Sequence, residues 1–311
     1  MESIIDIIVV LVIATVAAGT PLIFAALGEL VVEKSGVLNL GVEGMMIVGA
    51  VASFIVAVES GSLLLGVFAG IAAGMAMSLI FGFITLSLFA NQVATGLALT
   101  IFGVGFSAFI GLNYTSVALS GFKGLHIPLL SDIPILGQLL FSYDILIYLG
   151  FAMFAALAWF FKHSRPGLIV RAVGESPSSA HALGFSVIRV RYLAVLFGGG
   201  MAGLGGAYLS LAYTPIWVEG MTAGRGWIAL ALVVFASWRP NRVIMGAFLF
   251  GGVTIAQFHV QGAGIEIPTQ FLSMLPYLAT IIVLVIIGRG GTTAKLDTPA
   301  SLGKPFHADG H

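Results

Sequence analysis

The sequence predicts an all-α integral membrane protein, and three observations lead to this fold class. Hydrophobic residues make up 59% of the 311-residue chain and charged residues only 8%, against about 25% charged residues in soluble proteins. The mean hydropathy is +1.10. Apolar runs recur along the whole chain, each close to the roughly 20 residues that a helix needs to cross a bilayer. Because backbone amides in hydrocarbon must be satisfied internally, these runs are expected to be helices.

About nine crossings are predicted, of which the seventh is short. They are placed at 4–30, 36–57, 62–89, 93–112, 141–161, 191–213, 226–238, 242–260 and 270–288. Glycines in the second and the shortness of the seventh predict broken helices near 36–57 and 215–238, as in transporters that expose backbone groups within the membrane. Residues 1–288 are expected to form one membrane domain. The tail 289–311, rich in Gly, Thr, Ser and Pro, is expected to be disordered.

The start of the chain and its glycine patterns fit this organisation. The first apolar run follows Glu2 and Asp6 and has no clear cleavage site, so it is expected to be a retained span. The glycine cluster 198–206 lacks the Lys-Ser/Thr ending of a phosphate-binding loop and lies within a span, so helix packing is the favoured interpretation. Small residues at every fourth position predict two further packing faces. They are Gly66, Gly70, Gly74, Ser78 and Gly82, and then Gly103, Ser107 and Gly111.

A polar segment at 162–191 sets the predicted orientation. It holds five of the 13 Lys and Arg residues, and basic residues concentrate in cytoplasmic loops. With this segment inside, only Lys123 and Arg225 among the basic residues fall outside. The N-terminus is then outside and the C-terminus cytoplasmic. The formal net charge of +0 gives no electrostatic basis for a nucleic-acid partner, and the absence of cysteine excludes thiolate catalysis.

Within this segment the sequence predicts a short helix with defined ends. Ser176, after Glu175, can cap the helix, Pro177 suits the first helical position, and Gly184 can adopt a left-handed stop. The helix is either a connector that rests on lipid headgroups or a docking helix for a cytosolic partner. Small residues such as Ala180 suit a partner's groove better than a lipid surface, which favours larger apolar side chains. The residues alone leave both interpretations open.

Asn39 and Glu43 are candidate residues of a substrate path. They are four residues apart at the start of the second apolar run, which predicts that they share one helical face. Ionisable groups within a span are costly and usually face the bundle interior or a cavity. The alternative is that Glu43 is solvated near the inner surface, beside Lys34.

Polar residues also flank the fourth and seventh segments. Asn91, Gln92 and Thr95 open the fourth span and either line the path or close a tight helical hairpin, with capping favoured for Asn91. Glu219 and Arg225 flank the seventh segment on the predicted outer side, as a docking contact for a delivery protein or as a surface ion pair, which stabilises little. No metal-ligand spacing, nucleophile–base set or Gly-x-x-x-x-Gly-Lys-Ser/Thr motif occurs. We therefore expect no metal, no cofactor and no enzymatic activity, and any ATP use must come from another chain.

Three motifs occur in a recognisable order. They are SGVLNLGVEGMM at 35–46, RAVGESPSSAHALG at 171–184 followed by RVRYLAV at 189–195, and GRGWIALALVVF at 224–235. Together they resemble the permease subunits of bacterial ATP-binding-cassette (ABC) importers, in the superfamily of ribose and branched-chain amino acid permeases and its nucleoside and simple-sugar subgroup. Ser176 and Ser179 stand where the subgroup usually has Asn and Ala, which leaves the capping chemistry intact.

The resemblance implies a type II ABC importer-like permease in the bacterial inner membrane. It implies a second permease subunit, identical or different, a cytosolic ATPase docked on the helix at 175–184, and an extracytoplasmic substrate-binding protein. Nucleosides are the expected cargo, simple sugars or sugar derivatives the first alternative and branched-chain amino acids the second. An ion-coupled secondary transporter, a different class, would need carboxylates deep in the spans, for which Glu43 is the only candidate by the predicted topology.

Overall fold

In a computed structural model, the described residues are 4–125, 128–131, 133–262 and 298–307, with isolated positions between 268 and 285. These residues form eleven α-helices. They are α1 (Ile4–Lys34), α2 (Val42–Ser60), α3 (Leu63–Gly82), α4 (Gln92–Gly111), α5 (Leu136–Phe141), α6 (Ile145–His163), α7 (Arg165–Glu175), α8 (Pro177–Ala182), α9 (Val187–Tyr208), α10 (Arg225–Phe235) and α11 (Pro240–Gly262). Single π-helical turns extend α3 through Ser87 and α9 through Tyr213.

The helices confirm the all-α membrane fold class. Seven helices in the described part of the chain are long and apolar enough to cross a bilayer, namely α1, α2, α3, α4, α6, α9 and α11. They coincide with seven of the nine predicted crossings. The short seventh crossing is α10, and the predicted ninth crossing at 270–288 lies outside the continuously described residues.

Side-chain caps define where several of these helices begin. Each cap accepts a hydrogen bond from a backbone amide of the first helical turn, which would otherwise have no partner. The capping residues are Ser62 before α3, Asn91 before α4, Asp144 before α6, Ser164 before α7 and Ser176 before α8.

The glycine cluster of α9 lies at the centre of the bundle. A Cβ added at Gly203 would lie 2.1 Å from the carbonyl oxygen of Gly70 on α3, and one added at Gly206 would lie 2.0 Å from the carbonyl oxygen of Met46 on α2. A Cβ added at Gly74, in the small-residue stripe of α3, would lie 2.1 Å from the carbonyl oxygen of Gly199. These close backbone approaches confirm the packing interpretation of the cluster and of the stripe.

We expect Gly203→Ala to destabilise the protein by about 1–3 kcal/mol, because the added methyl group would have to push α3 and α9 apart. Gly105→Ala is the matched control, since a Cβ at this helical glycine has no described residue of another element within 4 Å. Thermal unfolding of the two purified variants measures the difference. Equal melting temperatures would contradict the assignment of the glycine cluster as a packing surface.

The first break in the helices lies between α1 and α2. Residues 35–41 are not helical, yet they are buried or half-buried, and α2 begins only at Val42. Asn39 therefore precedes the helix that carries Glu43, so the prediction that the two share a helical face is wrong. The predicted break is present, but it falls before the helix instead of within it.

Glu43 lies halfway through the thickness of the bundle. A Cβ added at its neighbour Gly44 would lie 2.6 Å from the carbonyl oxygen of Leu99, and one added at Gly103 would lie 2.8 Å from Gly44 Cα. Leu99 and Gly103 are the eighth and twelfth residues of α4, which has twenty. The start of α2 thus lies beside the middle of a spanning helix.

The second break lies between α9 and α10. There the chain runs from the level of the last residue of α4 to the depth of Glu43. The Trp217 indole packs on Gly111, the last residue of α4, whereas the Gly226 backbone packs on that of Glu43. From there α10 runs for 11 residues, about 16 Å, or roughly half of the hydrocarbon thickness. The predicted broken helix near 215–238 is therefore an irregular descending segment followed by a half-helix.

Part of the tail is packed on the bundle. Within residues 298–307, the Ser301 amide donates to the carbonyl oxygen of Gly174 at 3.0 Å, and the Gly303 amide donates to that of Gly36 at 3.1 Å. The disorder expected for the tail is wrong for this part of it. The tail connects the end of α7 to the irregular segment between α1 and α2.

Arg191 explains why the tail is held there. Its side chain is fully buried, and its guanidinium donates to the Ser35 carbonyl at 3.2 Å, the Lys304 carbonyl at 3.0 Å and Ser301 Oγ at 3.2 Å. Backbone carbonyls and a hydroxyl thus take the place of water around this cation. From the sequence alone, Arg191 is recognisable only as one of the five basic residues of the polar segment 162–191.

Candidate functional site

The Glu43 carboxylate holds the N-terminus of the half-helix α10. Oε1 accepts hydrogen bonds from the Thr222 hydroxyl at 2.6 Å and the Gly224 amide at 2.9 Å, and Oε2 accepts one from the Gly226 amide at 2.6 Å. These amides have no partner within their own helix, and the positive end of the helix dipole also favours an anion. Only 6% of Glu43 is exposed. The alternative of a solvated Glu43 beside Lys34 is therefore wrong.

Arg225 lies at the depth of Glu43, not at the outer surface. Its guanidinium donates to the carbonyl oxygens of Met221 and Thr222 at 3.1 and 3.2 Å, and it lies 5.9 Å from the centre of the Tyr213 ring. Glu219 is exposed in the descending segment. Arg225 follows Gly224 directly, so the outer-face placement predicted for the two residues is wrong for Arg225. At this depth a half-buried cation borders the candidate path.

The segment before α2 is held by polar side chains of α4. The Leu38 amide donates to Gln92 Oε1 at 2.8 Å, and the Thr100 hydroxyl donates to the Leu40 carbonyl at 3.1 Å. Gln92 Nε2 is the one buried side-chain nitrogen or oxygen without a hydrogen-bond partner in the described part of the chain. Gln92 thus combines a structural role, through its oxygen, with an available donor.

Asn39 shapes the same segment through local bonds. Its Oδ1 accepts from the Gly41 amide at 2.9 Å, its amide nitrogen donates to Met45 Sδ at 3.5 Å, and its backbone amide donates to Glu29 Oε1 at 3.2 Å. Asn39 is fully buried. Its side chain therefore fixes the turn that leads into α2.

The remaining two predicted path residues differ from each other. Asn91 Oδ1 accepts from the Ala94 amide at 3.0 Å and caps α4, as the favoured interpretation predicts. Thr95 is buried one turn after Gln92. Gly96, the next residue, packs on the backbone of Leu40. Gln92 and Gly96, which follows Thr95, thus contact the irregular segment that contains Asn39, and Glu43 lies in the first turn of the helix that follows.

Two buried carboxylates of α1 escaped sequence analysis. Glu29 is 1% exposed and Glu33 is also 1% exposed, and the Trp238 indole donates to Glu33 Oε2 at 2.5 Å. Trp238 follows α10, so carboxylates hold both ends of this half-helix, Glu43 at its start and Glu33 just past its end. Glu43 is therefore not the only deep carboxylate. Glu29 lies within the predicted first span, 4–30, and Glu33 lies just past its predicted end, but the local sequence does not show which groups bond to them.

The predicted cytoplasmic helix is present as α8 with the expected ends. The Ser179 amide donates to Ser176 Oγ at 3.3 Å, Pro177 is the first helical residue, and Gly184 has a φ of +89°. Ala180 is buried against Val173 and Val187. The suggestion that Ala180 fits a partner's groove is therefore wrong, because this residue attaches α8 to its own chain.

The outer surface of α8 is formed by other residues. Leu183 is 76% exposed. The exposed neighbours of Leu183 on this surface are Glu175, Ser178, Ser179, His181, Ala182 and Gly184. A capped helix with an exposed leucine at its end is suited to enter a groove on another protein.

Comparison with known proteins places the chain among transport permeases. The family described as "Branched-chain amino acid transport system / permease component" matches residues 11–286. The chain is 41% identical to the "Putative glucose ABC transporter permease protein TsgC13" of Haloferax volcanii, with 95% of this chain and 97% of that protein covered. It is 33% identical to the "Guanosine ABC transporter permease protein NupQ" of Bacillus subtilis, with 98% of each covered. It is 32% identical to the "Nucleoside ABC transporter permease protein NupC" of Lactococcus lactis, with 89% and 92% covered.

Proposed function

The chain belongs to the family of branched-chain amino acid transport system permease components, and from that premise we propose that it forms the membrane pathway of an ATP-driven importer together with a second permease subunit. ATP is hydrolysed on separate cytosolic ATPases, and an extracytoplasmic binding protein delivers the cargo. The segment at 162–191 faces the cytoplasm of a bacterial cell, with the N-terminus outside and the C-terminus inside. This orientation follows from the distribution of Lys and Arg.

The exposed, capped helix α8 is the observation that carries this proposal. It lies beside α7, whose end at Gly174 accepts hydrogen bonds from the Ser301 amide and hydroxyl, at 3.0 and 2.6 Å. Through the tail and Arg191 the same cluster contacts the segment before α2. A displacement of α8 by an ATPase would therefore be transmitted through these hydrogen bonds to the segment before α2, which leads to Glu43.

The half-helix α10 is the element that we propose to move. Its buried face packs on α1 and α2, the Glu43 carboxylate holds its start, and Glu33 holds Trp238 just past its end. Its first turn, which begins with Arg225, lies at mid-depth. A half-helix whose positive end lies at mid-depth can hold a polar cargo there. Displacement of the segment before α2 would shift the Glu43 carboxylate, and with it this end of α10.

We propose a nucleoside as the cargo, with a simple sugar or sugar derivative as the alternative. Two of the relatives above are named for guanosine or nucleosides, whereas the relative with 41% identity is named for glucose. Both classes are neutral and carry several hydroxyl groups. Donors such as Gln92 Nε2 suit such a cargo, because each unpaired buried donor gains from a cargo hydroxyl.

Uptake of radiolabelled guanosine and of radiolabelled glucose by proteoliposomes tests the proposal. The permease is reconstituted with its partner ATPase, second permease and binding protein, and transport is measured with ATP or with an ion gradient alone. We expect ATP-dependent uptake of guanosine and little of glucose. Uptake of glucose alone would select the sugar alternative, and uptake driven by an ion gradient without ATP would overturn the importer proposal.

A further inference from the structure

A basic pocket lies where α6 meets α7. It has a volume of approximately 870 Å³, and its walls come from the ends of α1 and α6, the middle of α7, the residues that follow α10 and the start of α11. Six cationic or titratable basic side chains line it, namely Lys34, Lys162, His163, Arg171, Arg239 and Arg242. None of the described residues that line this pocket is Asp or Glu. Nothing in the transport scheme above requires this concentration of positive charge.

The charges of the pocket call for an anion. Glu33 is buried and bonded to the indole of the pocket-lining Trp238, and its carboxylate does not line the pocket. Arg242 donates to Ser237 Oγ at 3.1 Å, which orients its guanidinium without neutralising it. A group of cationic side chains attracts a ligand of opposite charge.

An apolar cleft adjoins the basic pocket. The cleft measures approximately 530 Å³ and lies between α6, α7 and α9, with Met153, Leu157, Val190 and Phe197 among its lining residues. Trp159 lines both the cleft and the pocket. It is 62% exposed, as is typical of tryptophans at the boundary between hydrocarbon and headgroups.

The order along α6 matches the depth profile of a bilayer. The cleft begins at Met153 and the pocket ends with Lys162 and His163, the last residues of the helix. The two sites overlap at Trp159, and the ends of this stretch, Met153 and His163, are about 15 Å apart along the helix at about 1.5 Å per residue. Apolar space on the hydrocarbon side and cations on the aqueous side suit a molecule that has an apolar part and a negatively charged part.

We propose that this composite site binds one anionic phospholipid. Its phosphate lies among the cations of the basic pocket, and one acyl chain occupies the apolar cleft past Trp159. Basic pockets between transmembrane helices bind anionic headgroups in this manner. The adjoining cleft, open to the side of the bundle, favours a lipid over free phosphate, since a small anion would leave this apolar surface exposed.

Lipid retention by the purified full-length protein tests this proposal. The protein is mixed with phosphatidylglycerol and phosphatidylcholine of identical acyl chains, and bound lipid is counted by native mass spectrometry. We expect preferential retention of phosphatidylglycerol. The double variant Lys162→Gln with Arg171→Gln should lower its affinity about 30-fold, because one Lys or Arg near an anionic surface contributes roughly fivefold.

A matched variant and two competitors complete the experiment. Arg165→Gln with Arg189→Gln removes two cations from the same polar segment but outside the pocket lining, and should retain the lipid. Ala156→Trp, which fills the cleft without changing the charge, should weaken retention. Equal retention of phosphatidylcholine, equal loss in the matched variant, or displacement of the lipid by inorganic phosphate or glycerol phosphate would overturn the proposal. Release of the lipid when the ATPase binds would assign the pocket to a protein contact instead.

Discussion

Glu43→Gln is expected to reduce uptake about 5- to 30-fold while the protein still reaches the membrane. The carboxylate accepts from three donors at 2.6 to 2.9 Å. In glutamine one oxygen becomes an NH2 group, which would face the Thr222 and Gly224 donors or the Gly226 amide. An unsatisfied buried donor costs about 1–3 kcal/mol, and a change of one or two kcal/mol alters a conformational ratio about 5- to 30-fold.

Glu59→Gln is the matched control for this prediction. Glu59 lies on the same helix as Glu43 and allows the same substitution, but it is exposed, and among the described residues its carboxylate accepts from the Tyr114 hydroxyl alone. We expect normal uptake from this variant. Thr222→Val removes only one of the three donors and should have an intermediate effect.

The measurements must separate transport from folding. Uptake is measured in proteoliposomes at equal protein density, and thermal unfolding is measured on the same preparations. Loss of uptake with a small loss of stability supports a specific role in holding α10. If Glu43→Gln transports normally, the carboxylate does not control the position of the half-helix.

The spans and the ends of α8 could be predicted because they depend on local sequence. A run of about 20 apolar residues must be helical in hydrocarbon, and Ser176, Pro177 and Gly184 act on backbone groups within a few residues of themselves. The packing role of the glycine cluster could likewise be predicted from the local sequence, because small residues within a span favour close helix packing. Only the identity of the partner helices required the structure.

The buried carboxylates could not be located this way because their environment is assembled from distant segments. Glu43 is bonded to donors about 180 residues later, and Glu33 to Trp238, 205 residues later. The sequence pattern therefore indicates a path residue at Glu43 and gives no signal for Glu33. A buried charge marks an important position, but its partners decide whether it binds cargo or the protein itself.

The tail and Ala180 are two further cases in which contacts with other segments could not be predicted from local sequence. Here the contacts bury residues that the sequence predicts to be disordered or free to bind a partner. A segment rich in Gly, Thr, Ser and Pro lacks the apolar surface to fold alone, yet residues 298–307 are ordered by Arg191 and by backbone groups of Gly36 and Gly174. Ala180 suits a partner's groove only when α8 is considered without α7 and α9, which bury it. In each case a neighbouring element supplies contacts that the composition of the segment does not predict.

Gly184→Val is expected to uncouple ATP hydrolysis from uptake. The Gly184 amide donates to the His181 carbonyl at 2.8 Å and the Phe185 amide to the Ala180 carbonyl at 3.1 Å, the pair of bonds that closes a helix through a left-handed residue. A side chain there has room, since no atom lies within 4 Å of an added Cβ, but φ is +89°. The cost is thus in the backbone, about 1–2 kcal/mol, which a helix of two turns cannot absorb.

Gly184→Asn separates this backbone effect from a change of surface. Asparagine tolerates the left-handed conformation far better than valine, so it should restore most of the coupling despite its larger side chain. The measurement is ATP hydrolysis by the complete transporter, with and without loaded binding protein, beside uptake. For valine we expect basal hydrolysis with little stimulation and about 5- to 30-fold less uptake. If asparagine impairs coupling as strongly as valine, the exposed surface at Gly184 is the determinant; if valine couples normally, α8 does not transmit the signal of the ATPase.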